Sequence, residues 1–135
     1  MYTAVLDTDT LSAIMHQDVD AVSNAKRYLA AHPKLTISII TRYEILRGLM
    51  AKNATKQVWK FDRLCVTMDV LQLTDPIVVR AASLYANLRQ AGKSIGDADI
   101  LIAATCLENG HEIVTNNTSH FSRIPGLMVR NWLAK

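Results

Sequence analysis

The chain has 135 residues, half of them apolar and 20% charged, a length that suits one domain with one core and an ordinary soluble globular composition. No apolar run approaches the roughly 20 residues needed to span a bilayer, and "MYTAVLDTDT" lacks a basic stretch leading into an apolar one. A signal peptide and a membrane partner are therefore not expected, and a cytoplasmic location is. Fifteen basic residues against 12 acidic give a net charge of +3, a mild lean toward polyanions that decides little alone.

In chain order, "YTAVL" reads as a strand stopping at Leu6. "TLSAIMHQ" makes a short helical turn, and "DVDAVSNAKRYLAA" an amphipathic helix ending near His32-Pro33. "KLTISII" is a second strand, rich in β-branched residues, running into the helix "TRYEILRGLMAK". "TKQVWKFDRLCVTM" repeats apolar residues near helical spacing, and "DVLQL" is a third strand closed by "TDP". Asp75-Pro76 opens the helix "PIVVRAASLYANLRQA", with proline where the first turn tolerates it and Gly92 at its end. "SIGDADILIAATCLENG" is a helix apolar on nearly all sides, so it belongs in the middle of the structure. "HEIVT" is a fourth strand, and "LMVRNW" a fifth at an edge. Strands alternating with helices predict an α/β fold with a mostly parallel sheet of four to five strands flanked by helices. Ligands of such sheets gather beyond the carboxyl ends of the strands.

Several polar residues fall at those ends, and each has an ordinary structural explanation to set against a chemical one. Asp7 follows the first strand, where an aspartate often begins a turn or caps a helix. Asp9 or Thr10 fits the N-cap of the next helix, and for Asp9 the structural role is the better one. Thr41 to Glu44 has capping-box spacing, which by itself accounts for Glu44. Ser94 to Asp97 repeats that spacing and gives Asp97 a ready role. Asp97 and Asp99 lie roughly 200° apart around a helix, so one site does not readily use both. Asp99 has no such role: it heads "ILIAA", where an unpaired buried carboxylate costs several kcal/mol unless a metal or strong donor relieves it. Asn116 and Asn117 follow a strand, where asparagine commonly makes turns.

The remaining types narrow the chemistry. Cys65 and Cys106 sit among apolar neighbours and read as buried thiols rather than a disulfide. His16, His32, His111 and His120 are scattered without ligand spacing, so zinc is not expected. There is no Gly-rich phosphate loop and no nucleophile elbow. Carboxylates without histidine or cysteine suit hard cations such as magnesium or manganese. Most basic residues read as solvated faces, with those near an acidic site, Arg42 and Lys93 among them, available to hold phosphates.

Two enzyme families share such an opening. "VLDTDTL" resembles the haloacid-dehalogenase phosphotransferases, which implies Asp7 as nucleophile and Asp9 as acid-base partner. That family's late acidic pair follows a strand, whereas "GDADILIAA" leads into a helix, and the chain is short for that fold. The other resemblance is fuller: "LDTDTLS", "SIITRYEILRG", "GKSIGDADILIAAT" and "EIVTNNTSHFSRIPGL" resemble, in order and spacing and over essentially the whole chain, residues 1–135, the PIN-domain ribonucleases. More narrowly they are similar to the VapC-type toxins of bacterial toxin–antitoxin pairs. The resemblance implies a metal-dependent endoribonuclease that cuts structured RNA, transfer or ribosomal, leaving a 5′-phosphate and a 3′-hydroxyl.

It further implies Asp7, Glu44, Asp99 and Asn117 as the catalytic centre, with magnesium or manganese on Asp7 and Asp99. Asn117 stands at the family's late acidic position and removes a charge there, Asp97 sits where some members have a further acid, and Thr115 would orient water or phosphate. A cognate antitoxin inserting a basic side chain among the carboxylates, and a homodimer to which "IVVRAASLYANL" contributes, are implied as well. The asparagine at 117 is the one feature favouring a PIN-like module that binds RNA or a partner without cutting.

Overall fold

A computed structural model describes residues 2–133. Strand β1 (Ala4–Leu6) leads into helices α1 (Thr8–Met15) and α2 (Val19–Leu29), and strand β2 (Thr36–Ser38) into α3 (Ile39–Ala51) and α4 (Thr55–Val66). Strand β3 (Asp69–Leu71) precedes the long α5 (Asp75–Gln90) and α6 (Asp97–Glu108). Strand β4 (Glu112–Val114), the short α7 (Thr118–Phe121) and β5 (Val129–Arg130) complete the described chain. The five strands pair in parallel in the order β3-β2-β1-β4-β5. From β1 the chain therefore builds outward through β2 and β3, then crosses back to add β4 and β5. The change of direction beside β1 opens a crevice at the carboxyl ends of β1 and β4, where Asp7 and Thr115 stand.

The two-residue period of the strands divides the core. Val5 and Ile113 face α5 and α6, packing with Ile77, Leu84, Ile100 and Ala103. Ala4, Leu6 and Val114 face the other way, toward Leu11, Tyr28, Phe61 and Trp132. Helix α6 is buried along Ile100 and Ile102–Cys106, as an apolar surface on all sides requires. Gly92 and Gly110 follow the ends of α5 and α6 with φ of 69° and 68°, the left-handed conformation expected after a helix.

Three sequence expectations need correction. The strand read as "KLTISII" ends at Ser38, because Ser38 caps α3 by accepting from the Thr41 N–H, and Ile39 and Ile40 are already helical. The same shift removes the Thr41–Glu44 capping box: Thr41 is the third helical residue and not the cap, so Glu44 is free to face elsewhere. At α6 the cap is Gly96, with no side-chain cap bond, so Asp97 does not close a box with Ser94. Helix α7, a single turn after β4, was not expected at all.

Candidate active site

Asp7 follows β1 and caps α1, accepting the Thr8 N–H at 2.8 Å through Oδ1. Its other oxygen accepts the Thr115 hydroxyl at 2.8 Å. The same hydroxyl accepts the Asn117 N–H at 2.9 Å, which fixes the loop after β4 against the first carboxylate. Asp7 is only 6% exposed. Burial, the neighbouring Asp9 charge and, more weakly, Asp99 push its carboxyl up to about 7, against the pull of the Thr115 and Thr8 bonds.

Glu44 reaches the same end of the sheet from α3. Its Oε1 accepts the Thr8 hydroxyl at 2.7 Å, and that hydroxyl lies 3.1 Å from Thr41 Oγ1, which can donate to it in turn. Asp99, in the first turn of α6, has its Oδ2 3.1 Å from His120 Nδ1. Nδ1 donates to the carboxylate in the tautomer that carries its proton there. The Asn117 amide nitrogen lies 2.8 Å from the same Nδ1, so the ring tautomer decides which of the two contacts is a hydrogen bond. His120 was not singled out from the sequence. The signal that could have found it is its place three residues after Asn117, meaningful only once α7 is known to be a helical turn.

The other candidates divide. The expected N-cap at Asp9 or Thr10 is corrected: Asp7 caps α1, Asp9 lies in its first turn, and the Asp9 carboxylate accepts the Asn116 N–H at 3.1 Å, holding the loop after β4. Asp97 is exposed and lines a groove between α5 and α6 with Tyr85 and Leu101, on a different face from Asp99. Arg42 is corrected as a phosphate ligand: its guanidinium donates to Asp62 at 2.9 Å and to Cys65 Sγ at 3.3 Å, against α4. The arginine at the acidic centre is Arg47, 3.7 Å from Glu44 Oε2 and largely exposed. Lys93 is exposed in the turn after α5 and makes no ion pair with a carboxylate among the described residues. Cys106, buried behind Asp7, has its thiol pushed far up by burial, so both cysteines are free and this one is inert.

Among the described residues no three His, Cys, Asp or Glu side chains converge tightly enough to hold a metal alone. The donor set nevertheless fits a hard cation that keeps several waters and takes one or two carboxylates, as magnesium does. Asp9 and, more weakly, Asp99 act electrostatically on Asp7, and Glu44 has Arg47 as an ion-pair partner at 3.7 Å.

A parallel sheet with carboxylates gathered at its switch point is the architecture of the PIN domain, whose family model matches residues 4–127; the chain belongs to that family. Within it the chain falls among the VapC-type toxins. It is 28% identical over 129 residues to ribonuclease VapC2 of Rickettsia felis, covering 95% of this chain and 96% of that one. It is 25% identical over 133 residues to the tRNA(fMet)-specific endonuclease VapC of Salmonella typhimurium, covering 98% and 99%. Among solved structures, DNA-bound VapBC2 of Rickettsia felis superposes with a TM-score of 0.85 at 27% identity, covering 96% of this chain and 98% of that one. DNA-bound VapBC of Salmonella typhimurium also gives 0.85, at 25% identity and 98% and 99% coverage. The haloacid-dehalogenase alternative is thereby overturned, and Asp9, turned to the Asn116 N–H, is committed to the loop.

Proposed function

We propose that this chain is the metal-dependent endoribonuclease of a toxin–antitoxin pair, cutting a structured RNA, transfer or ribosomal, in the cytoplasm to stop translation. The observation that carries the reading is Asp7: a buried carboxyl pushed up to about 7 beside Asp99, at the end of a sheet that also presents Glu44. Asp7 and Asp99 would hold magnesium or manganese, with Glu44 reaching it through water. When bound, the cation supplies Lewis acidity, lowering the pKa of a water and offsetting charge on the scissile phosphate. Thr115 orients Asp7, His120 orients Asp99 with Asn117 beside it, and Arg47, paired with Glu44 and largely exposed, would be available to a phosphate oxygen. Cleavage leaves a 5′-phosphate and a 3′-hydroxyl.

The partners follow from the same surfaces. An antitoxin placing a basic side chain among the carboxylates would satisfy the charge a cation otherwise satisfies, and the solved relatives are VapBC complexes. Val78, Val79 and Tyr85 are exposed along α5, an apolar face suited to a second copy of the chain.

The test is cleavage of a mixed cellular RNA preparation with magnesium, with manganese and with chelator, wild type beside Asp99→Ala, with product ends mapped. Metal-dependent cuts absent from the variant support the reading. Cleavage retained by Asp99→Ala sinks the site, and RNA binding without cleavage by wild type would favour the non-catalytic module that Asn117 suggests.

A further inference from the structure

His120 differs from the other histidines of the chain. His16 and His32 turn Nδ1 to backbone carbonyls one helical turn back, and His111 turns its Nδ1 to the Thr3 hydroxyl. Among the described residues, His120 is the one histidine whose ring meets a carboxylate, with Nδ1 3.1 Å from Asp99 Oδ2.

The turn that carries it is fixed against the acidic centre. Phe121, the next residue, is buried in the core that Ile100 and Ile102 of α6 share, which sets α7 beside the head of α6. Asn117 precedes the turn, and its N–H donates to Thr115 Oγ1, whose hydroxyl in turn donates to Asp7. One loop therefore joins Asp7 to the side of Asn117 and His120 that faces Asp99.

His120 Nδ1 has two polar neighbours and a single in-plane position for a proton or a lone pair. Protonated, it donates to Asp99 and faces the Asn117 amide nitrogen without accepting from it. Unprotonated, it accepts from Asn117 and turns a lone pair toward the carboxylate. With the amide nitrogen facing it, either tautomer satisfies one contact at the expense of the other. A divalent cation reconciles them: Nδ1 and Asp99 Oδ2 both offer it lone pairs, and the Asn117 amide, turned over, offers its oxygen. The spacings suit such a set. Donors at adjacent corners of an octahedron with bonds of about 2.1 Å stand about 3.0 Å apart. The two separations here are 3.1 and 2.8 Å. The Asp99 and His120 side chains are 23% and 40% exposed, so waters reach the remaining corners.

A nitrogen in the donor set changes which ion it prefers. Magnesium takes oxygen donors and gives up its waters reluctantly. Imidazole suits first-row transition ions, whose affinity for mixed nitrogen and oxygen sites rises from manganese onward. We propose that His120 Nδ1 is a metal ligand beside Asp99 and the Asn117 amide oxygen, and that it turns the centre from magnesium toward manganese. The cation at Asp99 rests on the ribonuclease reading; the nitrogen ligand rests on the contacts of His120.

The probe is manganese itself. Full-length protein holding one equivalent of manganese is measured by electron spin echo envelope modulation, which reads nitrogen bound to the ion. Wild type should show imidazole modulation that changes when the protein is grown with nitrogen-15 histidine and disappears in His120→Gln. In calorimetric titrations, His120→Gln should bind manganese about tenfold more weakly and magnesium within about twofold of wild type. Manganese held through Asp99 without nitrogen modulation, or an unchanged preference between the two ions in His120→Gln, overturns the proposal and leaves the ribonuclease reading standing. Manganese held equally well by Asp99→Ala, or not held by wild type, sinks the metal centre of that reading and the nitrogen ligand with it.

Discussion

Thr115 and Asp7 stand 108 residues apart in sequence and are joined by a 2.8 Å hydrogen bond from the threonine hydroxyl to Asp7 Oδ2. The bond spans the carboxyl ends of adjacent parallel strands, and it favours the ionised form of a carboxyl that burial otherwise keeps protonated near pH 7. Thr115→Val keeps the shape and removes the donor, so the Asp7 pKa should climb by roughly one unit. Cleavage at pH 7 should fall about fivefold and recover in part by pH 8.5, the acid limb of the rate profile moving upward. A profile that keeps its wild-type midpoint would show that Thr115 only packs.

The same raised carboxyl sets a stability slope. Asp7 is pushed from 3.8 in the unfolded chain to about 7 in the fold, so between those values the native state binds the proton more tightly. Stability attributable to Asp7 is therefore fully present below the unfolded value, is lost as pH rises toward 7, and is level above it. Asp7→Asn should abolish cleavage and remove the slope. Near pH 4 the two proteins should be similarly stable; at pH 8 in chelator the variant should be the more stable, by about 2–4 kcal/mol. Urea midpoints at pH 4.5, 6 and 8 decide it, and parallel curves would contradict the raised value.

The element order was legible because apolar runs and helical spacing alternate along the chain, and because Gly92, Gly110 and Pro76 punctuate it. Asp99 stood out as a carboxylate at the head of an apolar helix; it is partly exposed, and its Oδ2 lies 3.1 Å from His120 Nδ1. The Ser38 cap was not legible, since Thr41 and Glu44 offer the same spacing three residues later and only the tertiary contact of Glu44 with Thr8 decides between them. His120 and Arg47 were hidden differently. Their relevance comes from contacts with Asp99 and Glu44, and for His120 from a four-residue helix too short to leave a period in the sequence.

Cation binding should be visible without catalysis. Magnesium that binds the native state alone raises the melting temperature by mass action, an effect of about 2.7 kcal/mol at a hundred times its dissociation constant. Wild type in EDTA and in excess magnesium should differ accordingly, whereas Asp99→Ala should melt at one temperature in both. A magnesium shift that survives in Asp99→Ala would place the cation elsewhere.

Asn117→Asp asks whether the amide at 117 weakens the centre. The side chain lies 2.8 Å from His120 Nδ1, and that nitrogen is 3.1 Å from Asp99, so a carboxylate there joins a cluster that already holds a proton on Asp7. Without metal the added charge should be unfavourable, lowering stability by about 1 kcal/mol. With saturating magnesium the order should reverse, because the new carboxylate becomes a further oxygen donor and tightens the cation severalfold. Melting in EDTA and in magnesium, with calorimetric titration of the metal, checks both halves. An equal loss in the two conditions would mean that residue 117 serves the α7 turn and not the cation.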